Sequence, residues 1–154
     1  MTRQARDRRP IALLEVAPGH AGVALVVDAL PDALAGLGPA LGIAATGDEG
    51  YAVRARAAVL GDGADVDPDV AVLMATSGST GNPRGVLLTA SGLLASAHAA
   101  YRRLGGPGAW TLALPVTGVG GLQVLVRSLV TISTATSGST SAPSPSTAAR
   151  ARTA

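Results

Sequence analysis

Two short apolar runs, VAVLMA at 70–75 and GVLL at 85–88, flank the polar segment TSGSTGNPRG at 76–85, and a helix-patterned stretch follows at once. An unbroken apolar run bounded by loop residues is the pattern of a strand buried on both faces. Strand, loop, strand and helix packed into so little chain point to a sheet with helices laid on it, an α/β fold. Thr89 stands where a helix N-cap belongs. Leu93, Leu94, Ala97, Tyr101 and Leu104 then fall on one face of a helix over 90–104, which Gly105 and Gly106 end. Residues 110–114 read as a third strand, broken by Pro115. Gly120 and Gly121 lead into an apolar helix ending near Leu129.

The first half is less sharply patterned. The Val-rich run GVALVVD at 22–28 reads as a buried strand. Pro31 then opens a helical segment with Leu34, Leu37 and Leu41 at the right spacing, interrupted by Gly36, Gly38 and Pro39. Residues 43–50 read as a turn, 51–60 fit strand or helix equally, and 61–69 form a loop. The expected organisation is a flexible terminus at 1–10, an α/β body at 11–129 and a disordered tail at 130–154. Within that tail, residues 131–154 carry Ser or Thr at 12 of 24 positions and no acid. So little apolar surface cannot offset the entropy of ordering.

Composition narrows the function. The chain has no Phe, one Trp and two Tyr, so its core must be built from Ala, Val and Leu. It has no Cys, which rules out disulfides and thiol chemistry, and the isolated His20 and His98 make no metal site. His98 reads as a partly exposed helix residue, Arg102 and Arg103 as helix-end cations, and Trp110 as core. Asp62, Asp65, Asp67 and Asp69 lack the spacing of a calcium loop and read as solvated. The net charge is +2 and every base is Arg, but Arg3, Arg6, Arg8, Arg9, Arg150 and Arg152 lie at the ends. The body is slightly acidic, with no basic patch interleaved with aromatics, so no nucleic-acid partner is expected. Glu15, His20 and Asp28 interrupt the early apolar residues, and no apolar run is long enough to span a bilayer. A cytoplasmic protein without a membrane partner is expected; oligomeric state is left open.

The 76–85 segment carries the chemistry. Gly78, Gly81 and Gly85 allow close backbone approach to a ligand and positive φ. Successive amides can form an anion-binding nest. Thr76, Ser77, Ser79 and Thr80 add hydroxyls, and Arg84 adds a fixed charge able to grip phosphate bidentately. The segment is no Walker loop, because the Lys-Ser/Thr pair is missing and a strand follows. By composition alone it would equally pass for a flexible linker.

The ordered pattern TSGSTGxP[KR]G resembles the signature of the adenylate-forming superfamily, with Arg84 where Lys is usual. The stretch GVLLTASGLLASAHAAYRRLGGPGAWTLALP and the following GLQVLVRSL are similar to the o-succinylbenzoate–CoA ligase family of menaquinone biosynthesis, over about 68–129. The resemblance implies an incomplete piece of the N-terminal domain of an AMP-forming acid–CoA ligase. ATP phosphates would lie against Thr76, Ser77, Gly78, Ser79, Thr80, Gly81, Arg84 and Gly85. ATP, Mg²⁺, CoA and a small carboxylic acid are the implied cofactor and substrates. Other acyl- or aryl-CoA ligases, or a nucleotide-binding fragment without activity, are the alternatives.

The sequence departs from that family in three places. Thr117 and Gly118 stand where the family carries an aromatic residue and a His beside the acyl and nucleotide pocket. The family's aromatic-Gly-x-[ST]-Glu motif, ribose-binding Asp and catalytic Lys have no counterpart here. The change of character at 130 is what a slipped reading frame would produce. The repeat TSGST at 136–140 lacks the rest of the motif and reads as low complexity.

Overall fold

The computed structural model describes residues 8–47, 51, 53–54, 66–76 and 84–138, with side chains as far as residue 133. Four strands form one sheet in the order β1-β2-β3-β4: β1 Ile11–Val16, β2 Ala40–Ala45, β3 Val70–Thr76 and β4 Arg84–Thr89. The first three run parallel, and β4 returns antiparallel beside β3. Helix α1, His20–Ala35, connects β1 to β2. Helices α2, Ala90–Leu104, and α3, Val119–Gly138, follow β4. The architecture is mixed α/β, as the sequence indicates.

One face of the sheet carries the main core. Val16, Leu41, Ile43, Val72 and Met74 meet Val26 and Leu30 of α1, Leu93 and Ala97 of α2, and Leu122 and Val126 of α3. The opposite face holds a smaller cluster of Ala44, Val53 and Leu73. The largest fully buried side chains are all aliphatic or Met, which fits the absence of Phe. Tyr101 is buried, whereas Trp110 is only half-buried and packs at the edge of the core. The guanidinium of Arg127 lies 4.7 Å above the Trp110 ring.

The second half matches its sequence pattern closely. Thr89 caps α2, its hydroxyl accepting from the Gly92 amide at 3.1 Å. Asp69 reinforces that end by accepting from the Ser91 amide at 3.2 Å and from the Ser91 hydroxyl. Gly105 ends the helix in the left-handed region at φ 84°. Leu93, Ala97 and Tyr101 are buried as expected, while Leu104 is exposed and falls off the buried stripe. His98 is exposed. Thr89→Ala removes the side-chain cap on the Gly92 amide and is expected to cost about 1 kcal/mol; chemical denaturation checks this, and an unchanged midpoint would show that Asp69 alone suffices.

Several expectations are corrected. Residues 22–28 are helix, not strand: Gly22, Val26, Leu30 and Ala33 are the buried positions of α1, a helical spacing. The run is apolar throughout, so its own periodicity could not separate the two states. Pro31 lies inside α1 rather than starting it. Its ring and Val27, whose carbonyl loses the proline N–H, are both exposed, so water can replace that bond. Gly36 ends α1 at φ 74°, with the Leu37 amide donating to the Asp32 carbonyl at 3.0 Å. Residues 40–45, read partly as helix and partly as turn, form β2. The described residues Tyr51, Val53 and Arg54 are helical.

The segment 110–114, expected as a strand, forms none and pairs with no strand among the described residues. The expected flexible terminus at 1–10 is wrong for its last residues: Arg9 is buried, and its backbone pairs with Val66. The expected boundary at 130 is wrong too, because α3 continues to Gly138. Val130 is buried against the core. The hydroxyls of Thr131 and Ser133 donate back to the carbonyls of Arg127 and Leu129, at 3.1 and 3.0 Å, so their polarity is met within the helix. The remainder of the expected tail, 139–154, lies outside the described residues, as do Asp62 and Asp65.

Candidate functional site

The polar segment of 76–85 is a hairpin connection. Thr76 ends β3, Arg84 begins β4, and the two are register partners, as are Ala75 and Gly85. The Thr76 hydroxyl reaches the Arg84 carbonyl at 3.4 Å, a weak bond. Arg84 is exposed at this hairpin end, and Thr76 is half-buried. Ser77, Gly78, Ser79, Thr80 and Gly81 lie outside the described residues. Only Thr76, Arg84 and Gly85 of the expected phosphate-binding set are therefore placed.

Strand register fixes what lies beside them. Val16 pairs with Ala45. The β2–β3 register aligns Leu41 with Val72 and Gly42 with Leu73; extended three residues, it sets Ala45 level with Thr76. Val16, Ala45, Thr76 and Arg84 thus form one row across the C-terminal edge of the parallel strands. Adjacent strands are about 4.8 Å apart, so Val16 and Thr76 are about 10 Å apart. This edge is where open α/β sheets place their ligands.

A cleft of about 440 Å³ opens on the same edge. Val16, Ala17 and Gly19 supply the β1–α1 turn, Val23 the first turn of α1, Ala45 and Thr46 the end of β2, and residues 112–117 the facing wall. Among the described residues the lining carries no charged side chain. Its volume lies within the range of small-molecule sites.

Two glycines make the walls possible. A Cβ at Gly22 would sit 2.0 Å from the Ala17 carbonyl oxygen, and one at Gly121 would sit 2.1 Å from that of Pro115. Helices α1 and α3 therefore start against the backbone of the two segments that line the cleft. Gly19 takes φ 95° to turn the chain from β1 into α1.

Thr117 lines the cleft, half-buried. Gly118 starts α3: its amide donates to the Pro115 carbonyl at 3.1 Å, and its carbonyl accepts from the Leu122 amide at 3.0 Å. A Cβ at Gly118 would meet the Pro115 oxygen at 3.5 Å, an ordinary contact, so packing does not demand glycine there. The sequence points to 76–85, and the family resemblance to Thr117 and Gly118. It gave no warning that 16–23 and 45–46 complete the cleft; the one available sign was the pair Gly19 and Gly22 before a helical apolar stripe.

No group of three or more His, Asp or Glu side chains able to hold a metal occurs among the described residues. No helix among them is long and apolar enough to cross a membrane.

The parallel strands and the antiparallel β4 beside them define a mixed α/β domain. Comparison with known proteins narrows this. The chain is 45% identical over 113 residues to a protein named "Probable 2-succinylbenzoate--CoA ligase" in two strains of Mycobacterium tuberculosis, CDC 1551 / Oshkosh and ATCC 25618 / H37Rv. The match covers 73% of this chain and 28% of the relative. A 2-succinylbenzoate--CoA ligase of Enterococcus faecalis is 41% identical over 63 residues, 40% of this chain and 13% of that one. No family model and no solved structure matches the chain. The chain is a homologue of part of these ligases, a partial member of the adenylate-forming family, and it spans about 28% of the length of the Mycobacterium relatives.

Proposed function

We propose that the chain carries the ATP-phosphate-binding and acid-binding part of an ATP-dependent carboxylate activation, with 2-succinylbenzoate, the acid in the relatives' names, as its first candidate substrate. The observation that supports this most is the row Thr76–Arg84 at the strand ends, beside a small-molecule cleft on the same edge. In the proposed reaction a carboxylate oxygen attacks the α-phosphorus of ATP. The bond to the bridging oxygen breaks, pyrophosphate leaves with the electron pair, and an acyl-adenylate remains. The CoA thiol then attacks the acyl carbon, losing its proton, and AMP departs. Mg²⁺ would arrive with the nucleotide, held by phosphate oxygens.

Residues 76–81, 84 and 85 would hold the phosphates, Arg84 supplying the charge. Arg84→Ala is expected to weaken ATP binding by about tenfold, the loss of one charge-assisted contact, and Arg84→Lys to retain most of it. Calorimetric titration with ATP measures both; equal affinities in all three chains would remove Arg84 from the site. Activation itself is tested by ATP–pyrophosphate exchange driven by 2-succinylbenzoate.

The Thr117–Gly118 pair and the uncharged cleft favour a second reading, a ligase for another acyl or aryl acid. Exchange with other acids but not with 2-succinylbenzoate would select it. Silence with every acid, with ATP binding intact, would leave a nucleotide-binding chain without turnover. A cytoplasmic location and the absence of a nucleic-acid partner belong to the same proposal.

A further inference from the structure

We infer that Val23, in the first turn of α1, sets the size of the acid that the cleft accepts. The inference rests on the carboxylate-activating reading above. Among the described residues the cleft has no charged lining, so an ion there would have no charged partner among them. It therefore suits the uncharged body of a carboxylic acid, an aryl ring or a short alkyl group. With that body in the cleft, the acid's carboxylate lies toward Thr76, about 10 Å from Val16 across two strand spacings, with Arg84 one spacing beyond.

Three features make position 23 the determinant. Val23 is half-buried and at once packs on the main core and lines the cleft. Helix α1 cannot move further toward the β1–α1 turn, because Gly22 already sits against the Ala17 backbone with no room for a single added carbon. On the α1 side the cleft is therefore narrowed by the side chain at 23 and not by a closer approach of the helix. Valine, branched at Cβ, holds essentially one rotamer in a helix, so this wall is stiff. The neighbouring wall at Gly19 carries no side chain, which leaves Val23 as the branched group that α1 presents to the cleft.

The test titrates the full chain calorimetrically, without ATP, against benzoate, 2-succinylbenzoate and 1-naphthoate, in the wild type, Val23→Ala and Val23→Phe. Val23→Ala is expected to raise naphthoate affinity relative to benzoate by about fivefold, and Val23→Phe to lower it by about tenfold, the scale of a few methylenes in an apolar pocket. Thermal melts run alongside; if Val23→Phe does not fold, the alanine variant carries the test. A naphthoate-to-benzoate ratio constant within about twofold in a folded variant, or no acid binding to the wild type, overturns the inference. Acid binding with the expected size shift but silent pyrophosphate exchange leaves it standing and fails the activation reading alone.

Discussion

Replacing Arg9 with alanine is expected to lower the unfolding free energy by about 4 kcal/mol, a large share of the roughly 5–15 kcal/mol of a typical domain. Arg9 is 7% exposed, and among the described residues its guanidinium donates to backbone carbonyls. It reaches Ala33 at 3.0 Å in the last turn of α1, Gly38 at 2.9 Å and Pro39 at 3.2 Å in the following turn, and Pro68 at 3.2 Å and Val70 at 3.3 Å at the start of β3. One planar fork thus ties together the end of a helix and the starts of two strands. Truncation leaves several of these carbonyls without a donor, and the fully buried ones cannot turn to water. Ala33 keeps the Gly36 amide at 3.4 Å, a weak bond, so it loses least.

Lysine in the same place carries the charge but not the fork, and Arg9→Lys is expected to recover no more than about half of the loss. Arg102, exposed in the last turn of α2, is the control: Arg102→Ala is expected to move stability by less than about 0.5 kcal/mol. Urea denaturation followed by circular dichroism measures all three. An Arg9→Ala midpoint close to that of the control would show that the carbonyl cluster is satisfied without the guanidinium.

Gly121→Ala is expected to destabilise the fold by about 3 kcal/mol or more and to open the cleft. Two effects compete at this helical position. Alanine gains about 1 kcal/mol over glycine in helix propensity. Against this, the new Cβ would sit 2.1 Å from the Pro115 oxygen, 2.6 Å from its carbonyl carbon and 2.8 Å from the Leu114 oxygen. All three are backbone atoms that no rotamer change can move, so α3 must shift away from the segment that forms the facing wall. The steric term wins. Gly22→Ala repeats the test at the other wall, with its Cβ at 2.0 Å from the Ala17 oxygen. Gly108 has no positive φ, and a Cβ added there would meet no heavy atom within 4 Å, so it should accept alanine at little cost. Thermal denaturation separates the three variants, and a Gly121→Ala chain that melts with the wild type would mean that the 114–115 backbone yields easily.

The two halves of the chain differ in how openly they declare their structure. From 70 to 105 the local signals agree with one another: a compact apolar run, a polar connection, an N-cap threonine, a helical stripe and a terminal glycine pair. The apolar run, the cap, the stripe and the glycines each map onto an observed element. From 11 to 45 they conflict. The 22–28 run is apolar on every side, so periodicity says nothing, and its valines favour strand. Its helical state comes from packing, because only a helix brings Gly22 against Ala17 and Val26 and Leu30 onto the sheet. Ile11–Val16 has no strand pattern strong enough to set against a terminal apolar run, and it became a strand through full parallel register with β2. Serines and threonines beyond 130 looked like tail composition. In a helix already anchored by Val126 and Val130 they turn their hydroxyls back to the preceding turn.

Local order along the chain, meaning which residue follows which in one short stretch, was enough for four things. These are the α/β class, the hairpin position of the 76–85 segment, its chemical suitability for phosphate and its likeness to an adenylate-forming signature. Three further things arise only in the folded chain. Val16, Ala45, Thr76 and Arg84 share one edge, a cleft opens there between walls that Gly22 and Gly121 allow to close up, and Arg9 ties together the opposite edge. Parallel pairing accounts for the difference. Strands that run parallel are joined by long crossovers, so residues tens of positions apart become neighbours through register alone, and nothing in the local sequence of either strand records which partner it will meet.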